Sequence, residues 1–70
     1  MKSAMVHVEV LDGSMNVEYI VAVPADFARI MFWWSEGTYW TREPIDYVLS
    51  VPGSFIVCRR NFSNEKIGMK

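Results

Sequence analysis

Residues 4–23, AMVHVEVLDGSMNVEYIVAV, decide the fold. Ala4, Val6, Val8 and Val10 alternate with Met5, His7, Glu9 and Leu11. After Asp12-Gly13, Val17, Tyr19, Val21 and Val23 alternate with Asn16, Glu18, Ile20 and Ala22. A period of two, rich in β-branched residues, predicts two half-buried strands. Asp-Gly is a favoured centre for a two-residue type I′ turn, so the segment reads as an antiparallel hairpin with Asp12 and Gly13 as its loop. That loop fixes a register. Val10 opposes Met15, Val8 opposes Val17, Val6 opposes Tyr19 and Ala4 opposes Val21, so each apolar residue meets another. On the second face Glu9 opposes Asn16, His7 opposes Glu18 and Met5 opposes Ile20. A slip of one residue would mix the two faces.

Working outward, Pro24 ends the second strand and suits the first turn of a helix, and Asp26 complements the positive helix start. The helix is expected over about residues 24–35, with Gly37 as a left-handed C-terminal cap. Phe27, Ile30, Met31 and Trp34 follow i, i+3, i+4, i+7 spacing and form its expected core stripe. Residues 38–41 read as extended or loop. Residues 44–50 fit either a strand or a short helix opened by Pro44, and the helix is preferred because Pro52-Gly53 suits a type II turn, which fits a tight hairpin poorly. Ser54 to Arg60 reads as a last strand, with Phe55 and Val57 on one face and Ile56 and Cys58 on the other. The expected order is ββα, a short helix or strand, then β. This is an α+β domain over residues 1–62, a small antiparallel sheet with one main helix packed on one face, followed by a polar, frayed tail over 63–70.

Composition sets the class. The chain has 70 residues, 51% hydrophobic and 21% charged, with a net charge of −1, which is globular and not disordered. A domain this small gains little net stability from its own core. The single cysteine, Cys58, excludes an intramolecular disulfide, and with His7 as the one histidine no usual zinc site is expected. No metal and no cofactor is therefore expected, and oligomerisation or a protein partner is the remaining aid to stability. Seven Lys and Arg against eight Asp and Glu disfavour a polyanion binder. No signal peptide and no membrane-spanning run is read, so the cytoplasm is the expected compartment.

No residue reads as catalytic. His7 is expected to sit against Glu18 across the hairpin. Cys58 lacks a base or a pKa-lowering neighbour and reads as a small buried or half-buried hydrophobe. The carboxylates form no distinctive pair, the four glycines are isolated turn residues, and no small-molecule substrate is evident. Arg59 and Arg60 read as a solvated strand end.

The aromatic cluster carries surplus information. Phe32, Trp33, Trp34, Tyr39 and Trp40 fall within nine residues and include all three tryptophans. On a helical wheel Phe32 lies at about 140° and Trp33 at about 240° from Phe27, flanking the polar back of the helix. Three readings compete. Residues 38–50 could fold over Phe32 and Trp33 inside the monomer. The rings could form a patch for another protein or a second copy of the chain. They could stack on single-stranded nucleic acid beside Arg29, Arg42, Arg59 and Arg60, a reading that the neutral charge disfavours. The expectation carried forward is a non-enzymatic interaction module: an inhibitor, an adaptor or a small homo-oligomer. Phe32, Trp33, Tyr39 and Trp40 would be its anchor, with Arg29 and Arg42 at the rim. Small phage and mobile-element proteins that inhibit a host enzyme share this size and plan, which is an analogy only.

Overall fold

The computed structural model describes residues 4–59. Strands β1 (Met5–Leu11) and β2 (Val17–Pro24) lead into helix α1 (Ala25–Met31). Strands β3 (Trp33–Ser35) and β4 (Thr38–Thr41), helix α2 (Ile45–Leu49) and strand β5 (Phe55–Arg59) follow. One five-stranded sheet results, in the order β3-β4-β1-β2-β5. All its neighbours are antiparallel except β1 and β4. The fold is α+β, with the N-terminal hairpin and the C-terminal strand as expected, and the last strand pairs on the outer edge of β2. The expected polar tail and Arg60 lie outside the described residues.

The hairpin forms in a different register. Val8 pairs with Val21, Val6 with Val23 and His7 with Ala22. The pairing is displaced by four residues because Asp12 builds a longer loop. Its carboxylate Oδ1 accepts the backbone N–H groups of Ser14 at 2.8 Å and Asn16 at 3.0 Å. The Asp12 N–H donates to the Asn16 carbonyl at 2.8 Å. Met15 takes the left-handed conformation, at φ 66°, that the type I′ reading assigned to Gly13. Local Asp-to-backbone hydrogen bonding outcompeted the two-residue turn. An even displacement keeps each strand's inward set inward, so Val6, Val8, Val10, Tyr19, Val21 and Val23 still share one face. The ladder shifts between Val10 and Leu11, and Leu11 pairs with Val17. This places Val17 with Leu11, on the face opposite to the one its alternation implied. The expected His7–Glu18 pair does not form.

The two-residue turn with positive φ at both central positions occurs instead at Glu36 (51°) and Gly37 (83°), between the paired Ser35 and Thr38. Gly37 is thus a hairpin residue and not a helix cap. Helix α1 ends early, at Met31, and Phe32 is extended (φ −122°, ψ 165°) while its N–H still donates to the Ala28 carbonyl at 3.1 Å. The bulky Phe32-Trp33-Trp34 run favours strand over helix. The buried stripe is accordingly Ala28, Met31 and Phe32, not Phe27, Ile30 and Trp34. Ala28 is fully buried, whereas Ile30 is 82% exposed. An alanine at the contact lets a two-turn helix lie close to the sheet.

Helix α2 is the short helix preferred on sequence. Val48 is its fully buried anchor, and Ile45 and Leu49 pack beside it. The Pro52-Gly53 turn follows, with Gly53 at φ 86° and the Ser54 N–H donating to the Val51 carbonyl at 3.1 Å, as a type II turn requires. One core results, with Val8, Val10, Val21 and Val23 on the sheet side and Ala28, Phe32, Val48 and Val51 over them. Both helices therefore cover the same face of the sheet. Thr41, the one buried polar residue among those described, uses its Oγ1 to accept the Glu43 N–H at 3.0 Å.

Candidate interaction surface

Strand alternation assigns the second face. Trp33 pairs with Trp40, Trp40 with Glu9, Glu9 with Ile20, and Ile20 with Cys58. Residues paired directly across strands share a side. These five side chains therefore form one row across all five strands, on the face away from both helices. A second row runs through His7, Ala22 and Phe55. Among the described residues no element covers this face. Trp33 is 65% exposed and stacks on Trp40, with ring centroids 6.0 Å apart and planes at 23°. Met5 and Phe55 are exposed too, while Leu11, Ile20 and Trp40 are half-buried.

Two depressions open onto this face. The first, of about 710 Å³, is lined from this face by Met5, His7, Glu9, Ile20, Thr38 and Cys58, and also by Val6, Trp34 and Tyr39, which strand pairing assigns to the helix side. A second, of about 320 Å³, lies beside it and is lined by Glu9, Leu11, Val17, Glu36 and Trp40 among others. Glu9 and Thr38 line both, so the two form one trough. Among the described residues no Lys or Arg lines either depression. The described arginines stand elsewhere. Arg29 belongs to α1, on the other face, and its Nη2 pairs with Asp26 Oδ1 at 2.6 Å. Arg59 lies over the Tyr19 ring, 5.6 Å from its centroid. Arg42 is exposed in the connection after β4.

The structure separates the six residues expected to act together. Trp33 and Trp40 meet on the open face. Phe32 is only 8% exposed and belongs to the core, where an anchor for a partner would be out of reach. Tyr39 packs against the core and meets Trp34 edge-on at 4.7 Å. Arg29 and Arg42 do not line the trough. Cys58, expected to be buried or half-buried, is exposed with a free thiol. The sequence reading missed Glu9, Ile20, Met5 and Phe55. A signal for them existed, because the second face of the hairpin already carried Met5, Leu11, Ile20 and Ala22, too many apolar residues for a solvated side.

Among the described residues no three His, Cys, Asp or Glu side chains gather as a metal cage, and no helix is long and apolar enough to cross a membrane. Comparison with protein families, with curated proteins and with solved structures finds no match for this chain.

Proposed function

We propose that this protein is a non-enzymatic protein-interaction module whose recognition surface is the open face of its sheet. One observation carries the reading: the Trp33–Trp40 stack, with Trp33 exposed, lies at one end of a sheet face that neither helix covers and onto which an apolar-lined depression opens. Contiguous apolar surface of this kind on a small soluble domain marks a docking site. Tryptophan is enriched among the residues that dominate binding energy. An inhibitor or adaptor role fits a chain that offers a surface and, among the described residues, no constellation of reacting groups. The single-strand nucleic-acid reading is weaker, because phosphates would meet Glu9 and Glu36 in the trough, with no described arginine lining it.

The test is affinity capture from the lysate of the native host with wild-type protein and with Trp33→Ala, folding being verified by circular dichroism. A partner retained by the wild type and lost with the variant supports the module. Equal capture by both proteins, or none by either, removes this face as the recognition surface.

A further inference from the structure

The charge on the open face indicates what kind of partner it takes. Resting on the interaction-module reading, we propose that the trough receives a basic amphipathic helix of another protein, whose apolar stripe lies on Ile20 and the Trp33–Trp40 stack while its Lys and Arg meet Glu9 and Glu36. The sheet supplies the geometry. Strand β1 has seven residues, about 23 Å at roughly 3.3 Å per residue. Its length matches a helix of about 14 residues at 1.5 Å per residue. A sheet face buries its apolar side chains against another layer, and helices already form that layer on the far side.

The charges choose among occupants. Glu9 lies at the centre of the row, between Trp40 and Ile20, and is half-buried. Glu36 lines the trough at the β3–β4 turn. His7 stands on this face as well, across from Ala22. The ion pair among the described residues is Arg29–Asp26, on the opposite side of the molecule, so none of these carboxylates has a described cation against it. A second copy docking face to face about a two-fold axis through the centre of the row would set Glu9 near its own symmetry mate, and like charges in an interface work against association. A basic apolar helix meets no such repulsion.

The experiment titrates the full-length protein, by calorimetry, with a synthetic peptide of about 14 residues. It carries leucines in helical period and lysines elsewhere. A twin peptide has glutamate for every lysine. The lysine peptide is expected to bind at least about tenfold more tightly than its twin. Glu9→Gln and Glu36→Gln should each weaken it about two- to fivefold, and Trp33→Ala about tenfold or more. Raising salt should weaken the wild-type complex. Amide chemical-shift changes should gather on Glu9, Ile20, Trp40 and Cys58. Equal binding of the two peptides overturns the proposal, as do shifts on α1 and α2, or no binding. Self-association in sedimentation that Trp33→Ala abolishes also overturns it, by giving the face to a second copy. The failures separate cleanly. Trp33-dependent capture from lysate without peptide binding leaves the interaction module standing and removes only the basic helix.

Discussion

Phe32 and Trp33 are adjacent aromatics, one buried and one exposed, so truncating each in turn tests the fold and the proposed recognition face together. Phe32 belongs to the buried cluster that includes Val8 and Val21. Phe32→Ala removes a large buried ring and leaves a void, for a cost of about 3–5 kcal/mol. A chain of this length has a total stability of roughly 3.5–10 kcal/mol at about 0.05–0.15 kcal/mol per residue. The variant should therefore lose between about a third and all of that stability. Trp33 is mostly exposed, and its main described contact is the Trp40 ring. Trp33→Ala forfeits that stack, worth about 0.5–1.5 kcal/mol, and little else. With a urea slope of about 1 kcal/mol per M for so small a domain, the unfolding midpoint should fall by about 3 M or more for Phe32→Ala and by about 1 M for Trp33→Ala. Far-ultraviolet circular dichroism is the proper probe, because tryptophan fluorescence changes when an indole is removed. Equal midpoint losses would refute the reasoning. They would mean that Trp33 is as enclosed as Phe32, that something covers the second face, and that no open recognition surface exists.

Asp12→Ala removes the acceptor for two backbone N–H groups of the β1–β2 loop and should destabilise by about 1–2 kcal/mol, with faster amide exchange at Ser14 and Asn16 as the specific readout. Glu36→Asn should stabilise by about 0.5–1 kcal/mol, since asparagine tolerates the left-handed conformation that glutamate adopts at some cost; a raised melting temperature checks it. Gly53→Ala should destabilise by about 1–2 kcal/mol because φ is 86° there. The added methyl would sit 3.5 Å from Pro24 Cγ, an ordinary contact, so the loss should persist when Pro24 is also replaced by alanine.

The parts of the fold legible in the sequence were those governed by local alternation. Met5–Leu11 and Val17–Pro24 declared themselves as strands. Pro44 opened a short helix, and Pro52-Gly53 marked the turn after it. What failed depended on competition between near-equal local choices. Asp12-Gly13 could make a two-residue turn, yet the Asp12 carboxylate found two backbone donors in a longer loop, and the whole register moved by four. The helical spacing of Phe27, Ile30 and Met31 was real, but a wheel places residues correctly only while the helix continues. Once Phe32 turned extended, the stripe advanced by one residue, and Trp34 left the helix for a strand. The candidate site suffered from the same event. Phe32 and Trp33, placed on the two flanks of a helix, lie instead in extended chain, where the first enters the core and the second stacks over the open face.

That parting bears on function more than on architecture. A five-stranded sheet has two faces, and two short helices suffice for one. The register displacement did not change which hairpin side chains faced inward, so the same valines would be buried in either alignment. It did change the neighbours on the outer face. In the expected register Glu9 lies across from Asn16 and His7 from Glu18, a polar seam that water would satisfy. In the observed one Glu9 stands between Ile20 and Trp40, and His7 faces Ala22. A carboxylate set among an indole and an isoleucine stays hydrated only while the face is open, and any docked layer must offer that carboxylate a cation or leave it unpaired at a cost of several kcal/mol. Replacing Glu9 by leucine should therefore leave folding intact while reversing the preference of the trough, so that an uncharged apolar peptide outcompetes the lysine peptide. Retention of the lysine preference in Glu9→Leu would show that the central carboxylate does not select the partner.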